Sequence, residues 1–138
     1  MSLAYAQAVN HYGQSGPLAH AAEQSPHQLI ECLLAGALSR IAQARRALAN
    51  GDASARGLHS SRVIDIIGYL DGILDPQAGG ELTSRLRSLY DYCIRRIFEA
   101  NTQQDDAAYQ EVAELISEVK SAWDLLPSRL KEREVVTS

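Results

Sequence analysis

The side chains best suited to chemistry in this sequence are its histidines and cysteines, and their spacing does not assemble a known type of reactive site. The sequence has four histidines and two cysteines, namely His11, His20, His27, His59, Cys32 and Cys93. A di-metal site in a helical bundle needs Glu-x-x-His pairs that face inward, and this sequence contains none. Neither cysteine has a second cysteine at zinc-ligand spacing. The sequence therefore predicts no metal site and no cofactor.

One histidine has a neighbour that suits phosphoryl transfer. Arg62 follows His59 by three residues, which places the two side chains on one face of a helix. Val63, however, is bulkier than the small residue that bundles relaying phosphoryl groups prefer beside the histidine. Glycine-rich phosphate loops and Gly-x-Ser-x-Gly motifs do not occur. We therefore expect a protein that is not an enzyme, with a histidine phosphotransfer bundle that uses His59 as an alternative.

Composition and charge narrow the class of protein further. The chain has 138 residues, the usual size of one domain, and 46% of them are hydrophobic. Its net charge of -4 does not supply the basic field that nucleic acid binding requires. No apolar run approaches the ~20 residues of a membrane span, and the first residues lack the pattern of a signal peptide. We expect a cytosolic protein without nucleic acid partners or membrane insertion.

Apolar residues recur at spacings of three and four along four segments, which is typical of helices packed lengthwise against each other. The first two segments carry Ile30, Leu34, Ala37, Ile41, Ala44 and Leu48, then Val63, Ile66, Ile67, Leu70, Ile73 and Leu74. The last two carry Leu82, Leu86, Leu89, Cys93 and Ile97, then Ala108, Val112, Leu115, Val119, Ala122 and Leu126. Because the links between them are short, the sequence predicts an all-α protein, an antiparallel up-down four-helix bundle.

The boundaries of these segments carry residues that begin and end helices. Ser25-Pro26 predicts the start of the first helix, since serine favours the N-cap and proline is tolerated at the first position. Asn50-Gly51 and Asp75-Pro76 predict the ends of the first two helices, and Asp52 predicts a cap. Thr102 or Asp105 is predicted to cap the fourth.

The sequence divides into three parts by composition. Residues 1–24 contain glycine, proline and small polar residues and predict a mobile N-terminal arm. Residues 25–126 form the predicted bundle domain. Residues 127–138 are polar and charged and predict a flexible tail.

The third helix is apolar over an unusually wide arc. Besides its seam, Tyr90, Ile94 and Phe98 continue around one side and Tyr92 lies on the other, so the arc covers roughly 240° at about 100° per residue. A helix with two neighbours needs less. An exposed apolar strip that binds a partner is one interpretation, and deeper packing within a thick core is the other. Trp123 is predicted to lie in the core.

Several stretches resemble the flagellin export chaperones of the FliS family. The first helix, SPHQLIECLLAGA (25–37), resembles their opening helix, and Asn50-Gly51-Asp52 matches their first turn. The stretch ILDPQAGGEL (73–82) is similar to their second link, and LYDYCIRRIFEAN (89–101) resembles their third helix. The likeness extends over residues from about 12 to 126.

The resemblance implies a four-helix bundle that binds the disordered C-terminal segment of flagellin, prevents premature polymerisation and presents flagellin to the export gate. In such relatives an N-terminal arm can lie over the binding surface when flagellin is absent. The partner-binding residues expected here are Tyr12, Ile64, Tyr90, Ile94 and Phe98. A homodimer that buries the strip against a second copy is a further alternative.

Overall fold

The structure is a computed structural model that describes residues 25–75, 77 and 80–125. The described part of the chain forms four helices, α1 (Pro26–Ala49), α2 (Ala53–Gly72), α3 (Gly80–Gln103) and α4 (Asp106–Leu125). The prediction of an all-α four-helix protein is confirmed. The predicted arm, residues 1–24, the predicted tail, residues 127–138, and Leu126 lie outside the described residues.

The first helix begins and ends at the residues that the sequence indicates. Ser25 precedes Pro26, and the Gln28 side chain accepts hydrogen bonds from both the backbone N–H and the hydroxyl of Ser25, at 3.1 and 3.0 Å. At the other end Gly51 adopts φ +70°, a left-handed conformation that glycine enters at low cost. The Asp52 carboxylate then accepts from the backbone N–H of Ala55 at 3.0 Å, which confirms the predicted cap of α2.

The remaining two links differ in length, with seven residues between α2 and α3 and two between α3 and α4. The second helix was predicted to end at Asp75-Pro76. It ends at Gly72, three residues before Asp75. Between α3 and α4, Asp105 accepts from the backbone N–H of Ala108 at 3.4 Å and acts as the cap. The Thr102 hydroxyl instead donates back to the Phe98 carbonyl at 3.0 Å, within the last turns of α3.

The helices form a ring in which each packs against its neighbours along the chain and α1 also packs against α4. Cross-helix hydrogen bonds show that neighbours run antiparallel. Arg45 near the end of α1 binds Asp106 at the start of α4, at 2.8 and 2.9 Å. Arg56 near the start of α2 donates to Asn101 near the end of α3, at 2.9 Å. The described helices therefore alternate up and down, as predicted.

The core consists of aliphatic and aromatic side chains from all four helices. Its fully buried members include Leu33, Leu34, Ile41, Val63, Ile66, Ile67, Leu70, Ile97, Tyr109, Val112 and Ile116. One buried polar pair crosses the middle of the bundle, where the hydroxyls of Ser60 and Tyr109 lie 2.7 Å apart. This bond satisfies two hydroxyls that would otherwise be costly to bury. No described helix combines the length and hydropathy that crossing a membrane requires.

Candidate functional site

The third and fourth helices are tied together by polar contacts around one carboxylate. Glu111 on α4 accepts from the Tyr92 hydroxyl at 2.6 Å and from Arg96 Nε at 2.8 Å, both on α3. These donors lower the pKa of the Glu111 carboxyl, with the Tyr92 hydrogen bond as the largest cause. The α3–α4 seam is therefore closed by polar contacts over this half of its length.

Beyond Glu111, towards the start of α3, the same seam opens into an apolar cavity of about 300 Å³. We call it the α3–α4 groove. Its walls are exposed or half-buried side chains, Leu82, Leu86 and Leu89 from α3 and Leu115, Glu118, Val119 and Ala122 from α4. Its floor is made of buried side chains, Ile30, Leu34, Leu70, Leu74, Tyr90 and Trp123. A surface of this kind can accept an apolar side chain or helix face from another molecule.

The groove shows how far the predicted helix seams are covered. The bundle covers the predicted seam of α3 only in part, because Leu82 is 41% exposed and Leu86 and Leu89 are half-buried. On α4, Leu115 and Val119 are half-buried and Ala122 is exposed. The apolar period alone does not predict this exposure, because the period is the same whether a seam is filled by its own bundle or left open. Glu118, a charge next to this seam, was the one signal that could have shown it.

The groove floor is anchored by two aromatic side chains. Trp123 is 7% exposed and its indole Nε1 donates to the His27 carbonyl at 3.2 Å, so its prediction as a core residue is confirmed. Tyr90 is 3% exposed, and burial raises the pKa of its hydroxyl. Both rings present apolar surface to the groove without being freely exposed.

The strip expected from the sequence is divided between two places. Tyr90 lies in the groove floor, whereas Phe98 is 61% exposed and Ile64 and Ile94 are half-buried beside the core. The antiparallel register of α2 and α3 puts Ile64 and Ile94 at the same level of that helix pair. Tyr90 is thus not an exposed member of one continuous strip, because its ring turns inward. Tyr12 lies outside the described residues.

The surroundings of His59 differ from those expected of a phosphoryl-transfer site. Its Nδ1 accepts a hydrogen bond from Arg40 on α1 at 2.9 Å, and Arg62 instead contacts Asp65 at 3.5 Å. Burial and the charges of Arg40 and Arg46 lower the pKa of His59, which favours a neutral ring. A cation from α1, Arg40, therefore contacts this histidine, whereas the phosphotransfer alternative was based on the spacing of His59 and Arg62 along α2.

The two cysteines are both free thiols. Cys93 is buried, and burial raises its pKa to about 12, so its thiol stays protonated. Cys32 is half-buried at the edge of the core. Among the described residues, no cluster of histidine, cysteine and carboxylate side chains could hold a metal ion.

Taken together, the fold and the groove define a class of protein, a four-helix bundle with an open apolar groove between its last two helices. Comparison with known proteins gives the family. The family model described as "Flagellar protein FliS" matches residues 7–129, and this chain belongs to the FliS family of flagellar secretion chaperones. A chaperone family is not an enzyme class.

Individual relatives are similar over most of their length. The flagellar secretion chaperone FliSB of Pseudomonas aeruginosa is 42% identical over 118 residues, which are 86% of this chain and 94% of that protein. The flagellar secretion chaperone FliS of Salmonella typhimurium is 41% identical over 119 residues, 86% of this chain and 88% of that protein. The FliS of Vibrio cholerae is 36% identical over 103 residues, 75% and 76% of the two chains.

Proposed function

We propose that this chain is a cytosolic export chaperone that binds the disordered C-terminal segment of flagellin. It prevents flagellin from polymerising prematurely and helps deliver it to the flagellar type III export apparatus, where a component of the export gate is its second partner. It works by binding and not by catalysis. The observation that carries the proposal is the α3–α4 groove, an open apolar surface on a bundle of the flagellar secretion chaperone family.

The groove suits an unfolded client for a thermodynamic reason. A disordered segment that folds on binding gives up about 2–5 kcal/mol of the interaction energy to ordering. Apolar burial at about 25 cal/mol per Å² can offset this cost only if the contact is extensive. Leucines on both walls and buried rings in the floor offer such a surface to the apolar face of a helical segment.

The residues predicted from the sequence remain part of the proposal. Tyr90 would contact the client from the groove floor. Ile64, Ile94 and Phe98 would extend the contact along the α2–α3 side of the bundle, where Phe98 is the most exposed. Tyr12 would cover apolar surface when the client is absent.

Isothermal titration calorimetry with the C-terminal segment of flagellin tests the proposal directly. We expect a 1:1 complex with a negative heat-capacity change, the signature of apolar burial. Leu82→Asp should weaken binding ~10-fold or more, because a carboxylate at the groove wall must be desolvated by the client. Leu58→Asp is the matched control, since Leu58 is similarly exposed (48%, against 41% for Leu82) but does not line the groove.

Two results would contradict the proposal. The wild-type protein could give no heat with the flagellin segment at any temperature, or Leu82→Asp and Leu58→Asp could bind it as tightly as wild type does. Light scattering over a range of concentrations separates the homodimer alternative. A dimer that persists in the presence of the segment would assign the groove to a second copy of the chain.

A further inference from the structure

The α3–α4 groove contains one charged side chain among the described residues that line it, Glu118. It lies on α4 three residues after Leu115 and four before Ala122, so all three share one face of the helix. Both of those neighbours line the groove as well. Glu118 is exposed, and within residues 25–75, 77 and 80–125 no side chain pairs with it.

The other carboxylates nearby on α4 are engaged within the bundle. Glu111 binds Tyr92 and Arg96, Asp124 lies 3.5 Å from Lys120, and Glu114 accepts from Gln110 at 3.3 Å. Among the described carboxylates of α4, Glu118 is the one that lines the groove.

An occupant of the groove changes the surroundings of this carboxylate. In the free protein the Glu118 carboxylate is exposed to water, so its charge carries no desolvation penalty. An apolar segment that displaces this water without replacing it leaves a charge partly desolvated, which is unfavourable. A lysine or arginine on the segment at that level restores the lost interactions and strengthens the contact, since the local dielectric falls as water leaves.

A second copy of the chain fits the groove less well for the same reason. In a two-fold symmetric dimer that packs groove against groove, each copy would bring its own Glu118 into the shared interface. Two like charges in an apolar interface oppose association. The charge of the groove therefore favours a basic partner over a second copy.

We propose that Glu118 determines specificity in this groove by pairing with a lysine or arginine that lies beside the apolar face of the bound segment. This inference rests on the proposed function and names the chemistry of the client at one point of contact. The partner is thus an amphipathic segment with a basic residue next to its apolar stripe, and the pair fixes where along the groove the segment lies.

The test compares two charge reversals on the same helix. Glu118→Lys and Glu114→Lys change the net charge equally, and Glu114 lies one turn earlier on α4, outside the groove lining. Calorimetry with the C-terminal segment of flagellin should show ~10-fold weaker binding for Glu118→Lys. Glu114→Lys should stay within about twofold of wild type, since it loses a hydrogen bond within α4 and otherwise alters only screened long-range interactions with the segment.

A double-mutant cycle identifies the residue on the other side. Each lysine and arginine of the flagellin segment is replaced in turn by glutamine, and binding is measured to wild type and to Glu118→Gln. One replacement should weaken binding to wild type about five- to tenfold and have little further effect on Glu118→Gln. Glu118 is exposed, so its replacement should leave the core intact. Circular dichroism of each variant checks that the bundle is folded.

The outcomes separate this inference from the proposed function. If the wild-type protein binds the flagellin segment, and Glu118→Lys and Glu114→Lys bind it equally well, Glu118 does not select the client and the inference is overturned while the function stands. The inference is also overturned if the losses in binding free energy are additive for every pair of replacements, because no residue of the segment is then coupled to Glu118. If wild type does not bind the segment at all, the proposed function fails, and the inference fails with it.

Discussion

The indole Nε1 of Trp123 donates a hydrogen bond of 3.2 Å to the carbonyl oxygen of His27, which ties the last turn of α4 to the first turn of α1. A carbonyl oxygen has two lone pairs and can accept this bond in addition to one within its helix. The contact fixes the indole in the floor of the groove, with 7% of Trp123 exposed. The hydrogen bond thereby joins the end of the last described helix to the start of the first, beside the groove proposed to bind a client.

Replacing Trp123 by phenylalanine should lower the free energy of unfolding by about 1–3 kcal/mol. The variant loses the hydrogen bond to His27 and leaves part of the indole volume empty. Urea denaturation followed by circular dichroism measures the change. Leu125→Ala is the control, because Leu125 lies in the same turn but is 85% exposed, and its stability should remain within about 0.5 kcal/mol of wild type. Equal stability of the two variants would show that the Trp123 contact contributes nothing.

Replacing Phe98 by aspartate tests whether the client extends beyond the groove. Phe98 is 61% exposed, so the variant should fold normally, and we expect it to bind the flagellin segment several-fold more weakly. Combining it with Leu82→Asp should give the sum of the two losses in binding free energy if the contacts are independent. Calorimetry measures both. Unchanged binding by Phe98→Asp would confine the client to the groove.

Acid should destabilise the bundle partly through Glu111. Hydrogen bonds from Tyr92 and Arg96 lower the pKa of its carboxyl from the ordinary value of 4.5. A carboxyl with a depressed pKa in the folded state stabilises the protein above its unfolded pKa, and this contribution is lost as the pH falls through the folded value. Thermal melts from pH 7 downwards should therefore show a steeper loss for wild type than for Glu111→Gln below about pH 4.5.

Some acid sensitivity should persist in Glu111→Gln, because Arg45 lowers the pKa of Asp106 in the same direction. At neutral pH the variant should be less stable than wild type, since glutamine keeps an acceptor for Tyr92 but loses the charge that attracts Arg96. Parallel stability curves for the two proteins at every pH would show that the Glu111 contacts do not contribute.

The two thiols should differ in reactivity. Burial raises the pKa of Cys93 to about 12 from an ordinary 9.0, which lowers its thiolate fraction about a thousandfold. A thiol-specific reagent at pH 8 should therefore modify Cys93 only as the bundle unfolds. The Cys32→Ser variant, in which Cys93 is the remaining thiol, makes the measurement unambiguous. Modification of this native variant at the rate of a small free thiol would contradict the buried position of Cys93.

The fold was largely predictable because its signals are local. Seams at spacings of three and four, the Ser25-Pro26 start and the Asn50-Gly51 turn each correspond to a physical requirement of helices, and the structure places boundaries there. The choice between Thr102 and Asp105 as a cap was not predictable, because both side chains can accept a backbone hydrogen bond and the path of the link decides which one is near.

The groove was less predictable because it depends on how the four helices pack, which residue spacing within one helix does not determine. Leu82 has the periodic spacing of a core residue, yet it lies on the wall of the α3–α4 groove and is 41% exposed. Tyr90 shows the reverse case. It lies at the edge of the apolar arc, yet its ring turns inward and is buried. Sequence spacing locates a side chain on a helix face, whereas its exposure is set by the distance to the next helix.

The composition of the groove floor ties any client contact to complete assembly of the bundle. Leu34 comes from α1, Leu70 from α2, Tyr90 from α3 and Trp123 from α4, so each described helix supplies part of one surface. A copy interrupted during synthesis, or clipped so that one helix is lost, would have no intact cleft to offer. Under the proposed function, only a fully formed molecule could compete for cargo, and copies that lack a helix would bind none.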